Sequence, residues 1–527
     1  MIVLTLGVIS SLGFEPTGNV LILIVAHALF LTVLQDEREL AGAFRMGLLF
    51  GTGQFMISFG WLTGSLHVHG GLNLPITFSM LLALSAMMAL YVGLFALGAV
   101  WMARRNGSMD WRVLLLFAPV WWAACELLRE MVLTGFPWNF LGYIWADWDT
   151  VRQMADLGGV WLLSAWTVAL SATLALLLKS FSIHGQWSWR TALTPLLTIT
   201  VLVVFATGYG ALRLDQADDH ADLAGGEASP WLRIAMVQGN IPQALKWKRK
   251  QRDRFFNRYV TMTRQLLETN RKQGERSIDL VIWPETAMAF FIQRMPLYRD
   301  VIQQLIDETG VPILTGVPTT SPYLHQDGSR GRHYYNSVVL FPNDGSKPQR
   351  YNKHHLVPFG EFIPFRNLVP ETFRKFTHGT RDFSSGEGAV PLLWSRASLG
   401  ILICYEAVFP HEVRQLVEEG AELLVNVTND AWFGASAKPQ HLAMTRMRAV
   451  ENRVPLVRAA NTGITAAYDD RGRELGQVGP DRQDHLVIDL RPGTGDGFFR
   501  FIGTLWIPVF LLFSVGLVLR KRVRSQT

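Results

Sequence analysis

Leu399-Gly400-Ile401-Leu402-Ile403-Cys404-Tyr405-Glu406 is the stretch on which the reading of this chain turns. Its run Leu399 to Cys404 is uncharged and apolar, and a run this short suits a strand buried on both faces and is far too brief for a helix that crosses a bilayer. Runs of the same kind recur on either side, at Leu232 to Val237, Leu280 to Trp283, Ile313 to Val317, Ser337 to Phe341, Leu423 to Val427, Leu456 to Ala460 and Ile464 to Tyr468. Helix-forming stretches separate several of them, at Arg252 to Asn270, Leu297 to Glu308, Glu412 to Glu419 and Pro439 to Glu451. Strands alternating with helices predict an α/β domain with well covered sheets over residues 232–492. Cys404 ends its run, and the end of a strand opening into a loop is where α/β folds place reacting groups. By itself, a cysteine after apolar residues is a small core hydrophobe.

Outside that domain the composition changes. The chain has 527 residues, of which 49% are hydrophobic and only 17% charged, and its mean hydropathy is +0.19. These values exclude a disordered chain and an ordinary soluble one. Long runs almost free of charge fall at Ile2 to Leu12, Val20 to Leu34, Met46 to Leu66, Pro75 to Met102, Val113 to Leu127, Leu157 to Leu178, Leu193 to Leu212 and Phe501 to Leu519. Most approach the ~20 residues needed to span a hydrocarbon core. They predict a helical membrane bundle of about eight spans: residues 1–213, then a last span and basic tail over 493–527. Between bundle and α/β domain, residues 214–231 form a polar linker with Asp218, Asp219, Asp222 and Glu227 among Gly and Ala.

The loops give the orientation. Arg38 and Arg45, Arg104, Arg105 and Arg112, Lys179 and Arg190, and the tail residues Arg520, Lys521, Arg522 and Arg524 occupy alternate connections, whereas His67 to Asn73 carries no Lys or Arg. By the positive-inside rule the basic loops face the cytoplasm, and the α/β domain lies outside it. The net charge of +6 is accounted for in this way, and no nucleic-acid partner is implied. Two cysteines, Cys125 and Cys404, are too few for a disulfide scaffold or a four-cysteine zinc site. His411-Glu412 lacks a second histidine four residues on, and adjacent His354 and His355 read as a polar loop, so no metal is expected. In the bundle, Glu126 and Arg129 share one helix face at i and i+3 and read as a structural ion pair at the interface, with a seat for the α/β domain and a phospholipid head group, formed together with Phe136-Pro137-Trp138, as the alternative.

Two charged groups change the reading of Cys404. Glu285, in Trp283-Pro284-Glu285, also closes a strand and offers a carboxylate able to take a thiol proton. Lys353, in Tyr351-Asn352-Lys353-His354-His355-Leu356-Val357-Pro358-Phe359-Gly360-Glu361, offers a cation that favours a thiolate and stabilises an oxyanion. Each alone reads as a solvated surface charge; the weight lies in the combination.

The order Trp-Pro-Glu, Lys-His-His-Leu-Val-Pro-Phe-Gly-Glu, Cys-Tyr-Glu resembles the Glu-Lys-Cys set of the nitrilase superfamily. Joined to a multispan bundle, it resembles the bacterial apolipoprotein N-acyltransferase family. Val237-Gln238-Gly239-Asn240-Ile241-Pro242-Gln243 with Lys246-Trp247, Asn429-Asp430-Ala431-Trp432-Phe433-Gly434, Asn461-Thr462-Gly463-Ile464-Thr465 and Thr134-Gly135-Phe136-Pro137-Trp138 support the likeness, which covers essentially the whole chain. The helix after Trp247, long and basic, departs from the pattern.

The resemblance implies an αββα sandwich on the periplasmic side of the inner membrane of a bacterium. It implies acyl transfer from a phospholipid, commonly phosphatidylethanolamine, to the amino group of the diacylglyceryl-modified cysteine of an apolipoprotein, through a Cys404 thioester. Glu285 is then the general base and Lys353 the oxyanion group; Trp247, Glu361, Tyr405 and Glu406 match supporting or substrate-facing positions. No cofactor is expected, and the protein is expected to act as a monomer. Residues Gly360 to Lys375 read as an apolar lid. The rival readings are a membrane-tethered nitrilase-like amidase, in which water resolves the thioester, and, further behind, a transporter with a noncatalytic outer domain.

Overall fold

The computed structural model describes residues 1–184, 189–223, 231–324, 329–364 and 382–520. Seven helices come first: α1 (Ile2–Ser10), α2 (Val20–Leu34), α3 (Leu40–Ser58), α4 (Leu74–Asn106), α5 (Ala118–Met131), α6 (Ala155–His184) and α7 (Trp189–Leu223). Then follow β1 (Leu232–Gln238), α8 (Gln243–Lys246), α9 (Arg252–Lys272), β2 (Leu280–Trp283), α10 (Pro296–Thr309), β3 (Ile313–Leu324), β4 (Arg330–Phe341) and β5 (Gln349–Asn352). The second half of the domain runs β6 (Leu392–Trp394), β7 (Ala397–Ile403), α11 (Pro410–Glu418), β8 (Leu423–Thr428), α12 (Ala437–Asn452), β9 (Leu456–Ala460), β10 (Thr465–Tyr468), β11 (Glu474–Val478) and β12 (Asp484–Leu490). Helices α13 (Phe498–Ile502) and α14 (Trp506–Leu519) close the chain.

These elements form two compact units. The first comprises Met1–Leu223, Phe433–Glu451 and Gly497–Thr527; the second, Ala224–Trp432 and Asn452–Asp496. In this division α12, which connects β8 to β9, is counted with the helical unit. A buried ion pair explains how a helix from the α/β half of the sequence joins it. Arg448 and Glu451 are both fully buried and meet at 3.0 Å, Arg448 also donates to the Tyr143 hydroxyl at 3.0 Å, and Glu451 accepts from the Val160 amide at 2.9 Å. That amide is released where α6 breaks at Gly158 and Gly159, and the Gly158 carbonyl accepts from the Trp506 indole at 3.1 Å. The kink therefore leaves neither group unsatisfied.

Among the described residues of the helical unit, three helices are long and apolar enough to cross a membrane: Leu74–Asn106, Val151–Ser180 and Ala192–Asp215. Ile2–Gly13, Val20–Leu34 and Trp506–Leu519 are shorter apolar helices. The stretch expected as a third span is interrupted, since α3 ends at Ser58 and a π-turn occupies Gly64–His69. Helix α7 continues to Leu223, so the first half of the stretch read as linker is helical; residues 224–230 lie outside the described part, as do tail residues Lys521, Arg522 and Arg524. Small residues let α1, α3 and α4 close up: a Cβ on Gly53 would lie 2.4 Å from the Leu4 carbonyl oxygen, and one on Gly47 2.4 Å from that of Val92. Glu126 and Arg129 are both buried. Glu126 accepts from the Trp122 indole at 2.9 Å and the Leu141 amide at 2.8 Å, while Arg129 donates to the Trp138 carbonyl at 3.3 Å.

The second unit holds two six-stranded sheets, ordered β12-β1-β2-β3-β4-β5 and β11-β10-β9-β8-β7-β6. Each has a parallel core of three strands, β1-β2-β3 and β7-β8-β9, extended by antiparallel neighbours. The sheets face each other, β1 and β2 lying against β9 and β4 against β7. On the outer face of the first sheet, α9 presents Phe255, Phe256, Tyr259, Val260 and Leu266, and α10 presents Ile302, Leu305 and Ile306, to Val237, Val281, Trp283 and Ile313. The spacing on α9 is the one-sided pattern that seats a helix on a sheet, and the buried Trp283 indole is satisfied by Thr263 at 2.9 Å. The parallel strands run the same way, so their carboxyl ends gather Lys246, Glu285, Cys404 and Asn429 at one edge of the sandwich.

Candidate functional site

Cys404 follows β7 directly and has φ of +54°. A β-carbon residue is held in the left-handed region only where its surroundings impose it, at a cost of about 1–3 kcal/mol. Here the turn Cys404–Val408 begins at once, so the thiol sits at a sharp strand-to-turn corner, as nucleophiles do in hydrolases of other folds. The corner is fixed by Glu406: one oxygen accepts from the Ile403 amide at 2.7 Å, the other from the Tyr351 hydroxyl at 2.9 Å and the His354 amide at 2.7 Å. Burial drives the Glu406 carboxyl up to about 7 against the pull of Lys353 and these donors. Glu406 thus ties the Cys404 turn to the segment that carries Lys353.

Glu285 stands two residues beyond β2 and is buried. One oxygen accepts from Asn336 Nδ2 at 2.7 Å and the other from the Asn429 amide at 2.8 Å. Asn336 Nδ2 also donates to Glu361 Oε1 at 2.9 Å, and Glu361 Oε2 meets Lys353 Nζ at 2.8 Å. A continuous hydrogen-bonded chain therefore runs from Glu285 through Asn336 and Glu361 to Lys353. Burial raises the Glu285 carboxyl above the usual range, and the Lys353 charge opposes it. For Lys353 burial acts to lower the pKa, but Glu361, Glu285 and Cys404 together outweigh it and hold the ammonium above its ordinary value. The Cys404 thiol is raised, first by burial and then by Glu285, with Lys353 opposing. Burial and the neighbouring carboxylate thus both favour the protonated thiol.

Of the residues the sequence singled out, Glu285, Lys353, Cys404, Glu361 and Glu406 are brought together. Tyr405 is buried, edge-on to Phe409 with ring centres 5.0 Å apart. Trp247 is 47% exposed and lies beyond this cluster, beside Lys246. The proposed lid is described only to residue 364; residues 365–375 lie outside the described part.

Other residues of the site stand out only in the structure. Lys246 is buried and donates to the Glu285 carbonyl at 3.1 Å; burial lowers its ammonium to about 8 against the attraction of Glu285 and Cys404. Asn429 holds Glu285. Next to it, Asp430 meets Arg458 at 2.6 Å, both fully buried, and Arg458 also donates to Asn426, so the loop after β8 is anchored in the second sheet. Losing one partner of such a pair costs about 3–5 kcal/mol.

The two-sheet second unit is of the carbon-nitrogen hydrolase class: residues 233–495 match the family described as Carbon-nitrogen hydrolase. Residues 6–173 match a second family, Apolipoprotein N-acyltransferase N-terminal domain. The chain is 34% identical over 503 residues to the apolipoprotein N-acyltransferase of Geobacter metallireducens, covering 95% of this chain and 91% of that one. With the apolipoprotein N-acyltransferase of Methylococcus capsulatus it shares 34% identity over 533 residues, covering 100% and 97%. A solved carbon-nitrogen hydrolase from Helicobacter pylori aligns at 16% identity and a TM-score of 0.38, covering 53% of this chain and 95% of that one. The chain belongs to the apolipoprotein N-acyltransferase family, and it is an acyltransferase.

Proposed function

We propose that this protein transfers an acyl chain from a phospholipid to the amino group of the diacylglyceryl-modified N-terminal cysteine of apolipoproteins. The observation that carries the mechanism is the chain Glu285–Asn336–Glu361–Lys353 beside the buried Cys404 thiol. Glu285 takes the Sγ proton as Sγ attacks the ester carbonyl; Lys353 and backbone amides of the Cys404 turn hold the oxyanion. The C–O bond breaks, the lysophospholipid alkoxide takes the proton back from Glu285, and the acyl group stays on sulfur as a thioester. The acceptor amine then attacks the thioester and loses a proton to Glu285, and the C–S bond breaks. The amide departs, and the thiolate recovers its proton.

Trp247 and Tyr405 face the substrates in this reading, and Glu361 and Glu406 position the lysine and the nucleophile turn. In this reading the membrane part contributes about eight spans over residues 1–213 and 493–527, residues 232–492 lie on the periplasmic face of the inner membrane, and the protein acts as a monomer. The family relationship supports a lipoprotein acceptor, and phosphatidylethanolamine is the donor we favour.

Single turnover with a phospholipid labelled in its acyl chain tests the proposal. Label is expected on the protein as a hydroxylamine-sensitive thioester, and it should move to a diacylglyceryl lipopeptide when that is added. Release of the label to water with no amide product would instead establish an amidase-like hydrolase.

The pH profile tests the base. Glu285 must be ionised to accept the proton, so acylation should rise with pH through its raised pKa. Asn336→Ala removes a hydrogen bond that favours the charged carboxylate. The acid limb of acylation should then move to higher pH. An acid limb that stays in place would separate Glu285 from the base role.

A further inference from the structure

The segment Lys246-Trp247-Lys248-Arg249-Lys250-Gln251-Arg252-Asp253-Arg254 carries cations at six of nine positions and a single acid. Asp253 is engaged by the Tyr298 hydroxyl. Among the described residues, Lys248, Arg249 and Lys250 are exposed and meet no carboxylate at ion-pair distance. A surface that needed these charges only for solubility would scatter them among acids. Here Lys248 and Arg249 instead line a pocket together with Lys246, Trp247, Arg252 and Phe290. Lys246 is buried, and its Nζ touches the Glu285 carbonyl at 3.1 Å. Toward the solvent side, Trp247 is 47% exposed. The Arg252 guanidinium lies over the Phe290 ring, 5.4 Å from its centre, which holds that charge at the wall of the pocket. The cavity therefore joins unpaired cations to aromatic surface, with one of its lining residues hydrogen-bonded to the loop of the general base.

We propose that this pocket binds the phosphodiester of the donor phospholipid, a subsite separate from the Glu285–Lys353–Cys404 centre. The inference rests on the acyltransferase reading above. Arg and Lys side chains without protein counter-ions are suited to a phosphate, and an exposed tryptophan beside them suits the boundary between headgroup and acyl chain. A free phosphate is also an anion but has no use for the Phe255, Phe256 and Phe290 side of the pocket, so the lipid is the occupant assigned.

The test uses the full-length enzyme in detergent micelles and the double variant Lys248→Gln with Arg249→Gln. Acylation is followed with phosphatidylethanolamine and, separately, with p-nitrophenyl palmitate, an acyl ester that has no phosphate. Removing two cations near a lipid phosphate should raise KM for the phospholipid about tenfold or more while kcat changes little. The neutral ester should react as with the wild type, and Lys248→Arg with Arg249→Lys should restore the phospholipid KM. Equal losses with both donors, no loss with either, or a rise confined to the lipopeptide KM would each overturn the assignment. So would competition by inorganic phosphate in the wild type with an unaltered phospholipid KM in the variant, which marks a site for a soluble anion. If the wild type forms no acyl-enzyme with either donor, the acyltransferase reading fails instead. Equilibrium binding of a short-chain phospholipid to wild type and variant then still decides the pocket, with about tenfold weaker binding expected of the variant.

Discussion

Cys404→Ala is expected to abolish acyl-enzyme formation, and with it all transfer, while leaving a folded protein in the membrane. The expected loss is large because nothing else in the centre can form the covalent bond; removing the nucleophile of a hydrolytic triad has cost on the order of 10⁶ in kcat. The fold should tolerate the change. Alanine at φ of +54° bears the same backbone strain as cysteine, and only the sulfur is removed from a buried corner. Cys125 is the control: it is buried in α5 among the helices, and Cys125→Ala should retain activity. The measurement is retention of labelled acyl chain after denaturation, beside a thermal melt of each variant. Substantial transfer by well-folded Cys404→Ala would remove Cys404 from the nucleophile role.

The strands legible in the sequence are the interior ones. All eight apolar runs fall on strands of the two sheets, the six parallel strands among them, because a strand covered on both faces must be apolar nearly throughout. The four strands that could not be seen, β5, β6, β11 and β12, are the four sheet edges. Gln349-Arg350-Tyr351-Asn352 has no apolar run, and Asp484 to Leu490 alternates exposed with buried positions toward its end. An edge strand with one wet face carries the composition of a loop. For the same reason β3 and β4 extend past their apolar runs: beyond Thr320 and before Asn336 the hairpin is partly exposed.

The site divides along a similar line. Glu285, Lys353 and Cys404 stand out because charge or sulfur at the end of an apolar run is unusual. Asn336 does not, since a neutral amide on a strand carries no mark of its function. Its importance arises only when β4 lies beside β3 and its amide falls between two carboxylates. Lys246 was hidden for the opposite reason. It stands in a run of cations from Lys246 to Arg254, all of which look solvated, and only the fold shows that this one is buried against the Glu285 loop. Burial is a property of the tertiary structure, and composition cannot single out one lysine of several.

Glu285→Gln is expected to slow thioester formation by about 10²–10⁴, the range for loss of a general base. The substitution also disturbs the local hydrogen bonding, and the two effects can be told apart. Glu285 accepts from Asn336 Nδ2 with one oxygen and from the Asn429 amide with the other. Glutamine has a single oxygen, so its amide group must face one of these donors, at a cost of about 1–3 kcal/mol in stability. That penalty should appear in the thermal melt. It should not remove activity at a temperature where the variant is folded, whereas loss of the base persists at every temperature and pH. Pre-steady-state traces separate the half-reactions: acylation should be slow with both the phospholipid and a neutral ester, because both require the Cys404 proton to leave. Normal acylation by Glu285→Gln with a slow second half-reaction would assign Glu285 to the acceptor amine alone, and the thiol proton would need another destination.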